Sequence, residues 1–168
     1  MPQTTIKYLA DSGFEGMICD TVNRIIRGAI EGWVSDSIIP FGRAVTILPN
    51  GRLATVSQAG QIVAGIALST DSWGLPSPTE SEPPAPAYPA RTSVNILTVG
   101  DIFVWCEEAV NAGDLLLVRS TAATSPKNIL GRFAKTAGAG LEATTGSVIV
   151  AIKTTQTAGL VPVRVNTK

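Results

Sequence analysis

Residues 99–119, VGDIFVWCEEAVNAGDLLLVR, indicate the fold class of this 168-residue chain more directly than any other stretch. Residues 102–106, IFVWC, are all apolar, so both faces of the strand that they predict are apolar. A strand covered on both faces belongs in a sandwich or barrel, or is buried by a neighbouring chain. Residues 107–112 then predict one short helical turn, with Gly113 as its left-handed stop before the next strand.

Short apolar runs separated by turn signals continue on both sides of this stretch. Residues 44–48 and 53–56 flank a Pro-Asn-Gly-Arg sequence that favours a tight hairpin, and residues 62–68 suit a further strand. Near the end of the chain, valine recurs at every second position over residues 161–165. The sequence therefore predicts an all-β protein, a small sandwich or barrel of jelly-roll or tulip-like form.

The domain organisation is predicted from two segments that differ from the strands. Residues 1–37 are expected to form an extended N-terminal arm, because Gly28 and Gly32 interrupt the helical stripe of their apolar residues. Residues 38–168 are then the β domain. Within it, residues 73–92 carry six of the eleven prolines and predict an inserted surface loop. A proline-rich docking segment against a neighbouring protein is the alternative, since aromatic residues bracket this loop.

The composition argues against catalysis and against nucleic-acid or membrane partners. The thirteen basic and thirteen acidic residues cancel, so no basic field exists to attract nucleic acid or lipid headgroups. The chain has no histidine, which removes the commonest general base and metal ligand. Cys19 and Cys106 match no zinc or redox spacing, and Cys106 suits a buried core thiol. We therefore expect no enzymatic activity, no cofactor and no metal.

The remaining carboxylates do not change this expectation. Glu107 and Glu108 are adjacent, so their side chains diverge and suit a solvated helix start better than a catalytic pair. The N-terminus lacks the basic and apolar regions of a signal peptide, and no run approaches the roughly 18 apolar residues of a membrane span. These features predict a soluble protein synthesised in the cytoplasm.

Six blocks of the sequence form a recognisable series. They are residues 16–20 (GMICD), 39–45 (IPFGRAV), 63–68 (VAGIAL), 100–114 (GDIFVW and EAVNAGD), 131–133 (GRF) and 158–163 (AGLVPV). In this order they resemble the structural cement (head-decoration) proteins of tailed bacteriophages. The resemblance implies a β-rich protein on the capsid surface of the virion, made in the host cytoplasm. It also implies binding to the major capsid protein, stabilisation of contacts between its subunits, and assembly as a homo-oligomer, a trimer.

Candidate capsid contacts are placed in the leader and in the first β block. They are Gly16, Met17, Ile18, Asp20, Arg27, Trp33, Ile39, Phe41 and Arg43. Trp33 and Phe41 are expected to be apolar anchors, while Arg27 and Arg43 are expected to pair with capsid carboxylates or to be ordinary surface arginines. The alternative function is a carbohydrate-binding β-sandwich, an adhesin or enzyme accessory domain that would stack sugars on its three tryptophans.

Overall fold

The computed structural model describes residues 13–19, 24–28, 32–70, 86–122, 129–142 and 147–167. These residues form twelve strands and no helix, which confirms the all-β prediction. The strands are β1 Ile25–Arg27, β2 Ile39–Pro40, β3 Ala44–Ile47, β4 Leu53–Thr55, β5 Gly65–Ala67, β6 Ala87–Tyr88, β7 Ile96–Cys106, β8 Leu117–Arg119, β9 Phe133–Ala134, β10 Leu141–Glu142, β11 Ser147–Ala151 and β12 Gly159–Thr167.

Ten strands form one mixed, sandwich-like sheet, and β2 and β6 form a small second sheet. The main path runs β10-β8-β9-β7-β5-β3-β4, with β1 and β12 also paired to β7 and with β11 paired to β12. Most pairs are antiparallel, and β7 pairs with β9 in parallel. The eleven-residue β7 therefore joins nearly every part of the sheet.

Strand β7 is paired along both of its edges. Ile102 faces Val163 of β12 on one edge and forms an isolated bridge with Ile18 on the other. Ile96 likewise has partners in both β1 and β5. Every residue of β7 except Val99 and Trp105 is buried, which confirms that both faces of this strand are covered. Residues 16–19 and β1 of the leader thus run along the central strand, while Val34 and Ser35 bridge to Ser93 and Leu53.

Two clusters of buried apolar side chains hold the sheet together. The larger one gathers side chains of β7, β8, β9, β11 and β12, among them Ile102, Val104, Phe133 and Val163. The smaller one lies under the second sheet and consists of Ile39, Phe41, Val45, Leu53, Ala67, Tyr88, Val94 and Ile96. In it the Phe41 and Tyr88 rings meet edge to face, with centroids 5.1 Å apart. Burial of apolar surface on both sides of β7 is the main stabilising term.

The short helical turn predicted over residues 107–112 is wrong. The segment is an irregular bend in which Val110 forms a β-bridge to Thr155, and the Thr155 amide donates to the Val110 carbonyl. This bridge uses backbone groups that a helical turn would need. The left-handed glycine is confirmed, since Gly113 has a φ of 94° and lies within the turn closed by the Asp114 amide and the Asn111 carbonyl.

The described end of the proline-rich segment, residues 86–92, contains a short strand and is not only a surface loop. Ala87 and Tyr88 form β6 and pair with Pro40 and Ile39, and the Tyr88 side chain is buried. The Tyr88 hydroxyl also accepts a hydrogen bond from the Asn95 amide. Residues 71–85 lie outside the described residues, so the rest of the predicted loop, like the boundary of the arm at residue 37, stays a prediction.

Cys19 and Cys106 form no disulfide in the described structure and differ in exposure, so we expect them to react differently. Cys106 is fully buried, and burial, with smaller contributions from Glu108 and Glu107, raises the pKa of its thiol to about 12. Since the thiolate is the reactive form, iodoacetamide at about pH 8 should modify the partly exposed Cys19 well before Cys106. Peptide mass mapping of the folded protein checks this, and equal rates at both thiols would contradict it. Denaturation should make both rates equal.

Candidate functional site

An open groove of about 570 Å³ brings together two residues that the sequence predicted as contacts, Arg27 and Trp33. It lies between β1, the end of β3 and the loop before β5. We call it the Trp33 groove; it is lined by Arg27, Trp33, Thr46, Ile47, Leu48, Pro49, Gln58, Gln61, Ile62, Val63, Ala64, Thr98 and Thr167. An apolar concave surface with a few polar groups is the usual form of a protein-binding or ligand-binding site.

The backbone around Trp33 and the smaller core cluster fix the position of the Trp33 side chain. Gly32 has a φ of 73°, a left-handed conformation that lets the chain turn just before the tryptophan. The Val94 amide donates to the Trp33 carbonyl at 3.2 Å, and the indole packs against the smaller core cluster. The indole is only partly exposed as a result, and its free part faces the groove. A pre-positioned aromatic side chain loses little conformational entropy when a partner binds.

Two isoleucines form the exposed rim of the groove. Ile47 is 47% exposed and Ile62 is 61% exposed, although both side chains are large and apolar. The loop that carries Ile62 is fixed by Gln61, whose Oε1 accepts hydrogen bonds from the Ser57 and Gln58 amides at 2.8 and 3.1 Å. Exposed apolar side chains on a fixed loop beside a tryptophan are typical of a protein interface.

Hydroxyl groups form hydrogen bonds with backbone carbonyls around the floor of the groove. The Thr98 hydroxyl donates to the Ile25 carbonyl at 3.0 Å, and the Thr167 hydroxyl donates to the Thr98 carbonyl at 3.1 Å. The Ser147 hydroxyl donates to the Val63 carbonyl at 3.0 Å. These hydroxyls are engaged inside the protein, so the groove offers apolar surface with Arg27 as its charged group.

The predicted leader contacts Gly16, Met17 and Ile18 lie elsewhere, along the far half of β7. The Gly16 amide donates to the Phe103 carbonyl, and the Phe103 amide donates to the Met17 carbonyl. Gly16 has a φ of 83°, and a Cβ there would lie 2.8 Å from the Ser69 amide nitrogen. Ile18 is partly exposed and packs on the larger core cluster. Asp20 lies outside the described residues.

Three of the predicted contacts are buried in the protomer, whereas the sequence had placed them at the surface. Ile39 is 0% exposed, Phe41 is 3% exposed and Arg43 is 2% exposed. Ile39 and Phe41 belong to the smaller core cluster, and Arg43 pairs with Glu15 at 3.3 Å. Their side chains are packed inside the protomer. The sequence block IPFGRAV is therefore a core element.

The sequence did not single out Ile47 and Ile62. Both fall within predicted strands, over residues 44–48 and 62–68, where an isoleucine is normally read as core. Only the arrangement of the strands shows that these two side chains face outward on one groove. No sequence signal distinguishes them from the buried Val45 or Ile66 beside them.

The described part of the chain shows neither a metal site nor a membrane helix. Its Cys, Asp and Glu side chains form no cluster of three or more that could hold a metal ion. Over the same ranges, no helix has the length and apolarity needed to cross a bilayer.

Comparison with known protein families identifies the chain. Residues 1–166 match the family model described as structural cement protein (E217 gp24/Pam3 gp6). The chain belongs to this family. The family is one of structural proteins of bacteriophage capsids, so this cement protein has a structural role and belongs to the virion.

A solved structure shows the same fold. A chain of the capsid of Myoviridae phage XM1 superposes with a TM-score of 0.64 at 17% sequence identity. The match covers 99% of the cement protein and 97% of the XM1 chain, so the two folds agree over their whole lengths. Among curated proteins, none matches the chain.

Proposed function

We propose that this cement protein binds the outer surface of a bacteriophage head and stabilises contacts between major capsid protein subunits. The observation that carries the proposal is the match to the structural cement protein family, which extends over residues 1–166. The protein then binds the capsid and stabilises its subunit contacts without turning over a substrate. It is made in the host cytoplasm and acts on the assembled capsid.

The Trp33 groove is proposed as a contact surface for the major capsid protein. Interfaces gain most of their affinity from a few aromatic and large apolar side chains seated in desolvated surroundings. Trp33, Ile47 and Ile62 provide such side chains on one fixed surface. Arg27 is exposed at the same groove and supplies a cation for a capsid carboxylate, a pairing that sets orientation more than affinity.

Self-association is proposed because apolar surface remains outside the groove. Exposed apolar side chains of the described residues that do not line it are Phe14, Ile25, Ile26, Ile38, Leu115 and Val148, each between 42% and 65% exposed. Ile25 and Ile26 stand on β1, which is paired along one edge to β7. A homotrimer would cover part of this surface, and it would strengthen capsid binding because several weak contacts act at high effective concentration.

Co-sedimentation tests the binding. Purified cement protein is mixed with matured capsid shells that lack it, and the shells are pelleted. We expect the bound amount to rise with concentration and to saturate at a fixed ratio to the major capsid protein. If the protein stays in the supernatant at concentrations up to about 10 μM, its affinity is too low for a cement and the proposal fails. Sedimentation equilibrium of the free protein tests the trimer.

The carbohydrate-binding alternative gains no support from the described tryptophans. Trp33 and Trp105 line separate pockets, so they do not form one platform for stacking sugars. Trp73 lies outside the described residues. Trp105 is in addition covered by Arg132, whose guanidinium carbon lies 5.1 Å from the ring centroid.

A further inference from the structure

A second pocket, of about 470 Å³, lies away from the Trp33 groove, at the end of β7. We call it the Trp105 pocket; its walls are mainly apolar and include Phe14, Phe41, Pro86, Trp105, Arg132 and Leu160. Phe14 is 55% exposed at this pocket, although it is a large aromatic side chain. Glu15 also lines the pocket and connects it to a buried cluster of charged residues.

The buried cluster contains three guanidinium groups but two carboxylates. Arg119 fully occupies Glu107: its Nε donates to both carboxylate oxygens at 2.7 and 2.9 Å, and its Nη2 donates to Oε2 at 2.6 Å. Arg43 and Arg132 are left with Glu15, and Arg43 lies 3.3 Å from it. The cluster is therefore short of one negative charge at the side that faces the Trp105 pocket.

Buried arginine donors without a hydrogen-bond partner lie in the same charged cluster. The Nε atoms of Arg132 and Arg43 are buried without a hydrogen-bond partner in the described structure. Arg43 Nη1 and Glu15 Oε1 also lack a hydrogen bond, but they face each other in the ion pair at 3.3 Å, so Arg132 is the cation left over. A buried donor without a partner is costly, and charged donors gain most from a new acceptor. Burial lowers the pKa of Arg43 to about 10, against the opposing effect of the Glu15 carboxylate, and the Arg132 charge adds a smaller lowering.

We propose that the Trp105 pocket binds a carboxylate side chain carried on an apolar segment of a neighbouring protein in the capsid shell. Arg132 would donate to the carboxylate, because it lines the pocket and its Nε has no hydrogen-bond partner. The aromatic and aliphatic walls would contact the methylene groups and the flanking apolar residues. The inference rests on the proposed capsid binding but concerns a surface separate from the Trp33 groove.

The test is a peptide titration followed by NMR of the Arg132 Nε–H group. The probe is the blocked tripeptide acetyl-Leu-Glu-Leu-amide, and its control is the same peptide with Gln in place of Glu. Arg132→Gln assigns the signal, and Arg52→Gln, which changes an exposed arginine paired with Asp36, is the matched control. We expect the Glu peptide to shift the Arg132 signal saturably and to bind about tenfold more tightly than the Gln peptide.

Two outcomes would overturn the inference: equal binding of the two peptides, or no shift of the Arg132 signal up to about 10 mM Glu peptide. The readout on the wild-type protein does not depend on whether Arg132→Gln folds. Ile62→Asp, in the Trp33 groove, should leave the titration unchanged. Because the titration contains no capsid, its failure counts against this inference alone, whereas absence of co-sedimentation with shells counts against the proposed function.

Discussion

Replacing Arg119 by methionine is expected to lower the free energy of unfolding by about 3–5 kcal/mol. The side chains of Arg119 and Glu107 are 1% and 3% exposed, and the guanidinium also donates to the Thr121 and Ala139 carbonyls. Removing the arginine leaves the Glu107 carboxylate buried without its cation. Two backbone carbonyls lose a donor as well, so the loss is larger than for a surface pair.

Urea denaturation of the wild type and the variant measures this difference. Arg52→Met is the matched control, because the Arg52–Asp36 pair is 45% and 39% exposed and should contribute within about 1 kcal/mol. Equal losses for the two variants would contradict the account of the buried pair. The double variant Glu107→Leu with Arg119→Met should recover part of the stability, because it leaves no unpaired buried charge.

Replacing Ile62 by aspartate is expected to weaken capsid binding by about 2 kcal/mol or more, which is a factor of roughly 30 in affinity. Ile62 is 61% exposed on the rim of the Trp33 groove, so the change should leave the fold stable while it puts a charge into the proposed contact. Trp33→Ala should have a similar effect on binding. Because Trp33 is partly buried against the smaller core cluster, Trp33→Ala should also lower the free energy of unfolding, and that loss must be measured separately.

Quantitative co-sedimentation with capsid shells measures the effect. Leu115→Asp is the matched control, because Leu115 is 64% exposed and does not line the groove. The groove assignment would be contradicted if the Leu115 and Ile62 variants lost affinity equally, or if the Ile62 variant bound like the wild type. Unchanged thermal unfolding of the Ile62 variant confirms that the loss lies in binding.

The sequence predicted the fold class because strands and hairpins are indicated by the residue pattern within single segments. Residues 102–106 are apolar on both faces, and they lie in the strand that is paired along both of its edges. The hairpin is also local: the Leu48 amide donates to the Arg52 carbonyl across a turn in which Gly51 has a φ of 77°. Such features depend on neighbouring residues alone.

The site was harder to predict because it depends on contacts between distant segments. Glu107 was expected at a solvated helix start, yet it is buried against Arg119. Arg43 was expected at the surface, yet it is buried against Glu15, 28 positions away. Whether a charged side chain is buried depends on a partner that the local pattern does not reveal. Arg27 and Trp33 share a groove with the end of β3 and the loop before β5, and the pattern of their own segment does not reveal these neighbours.

Calorimetry of capsid shells tests the central claim most directly. Shells that lack the cement protein are heated alone and with saturating protein, and the transition of the shell itself is followed. A ligand that binds the intact lattice but not its melted state must raise the transition temperature, and the rise must follow occupancy. We predict a rise of several degrees that the Ile62→Asp variant fails to produce at the same concentration. An unchanged shell transition at full occupancy would contradict the claim that this protein cements the capsid.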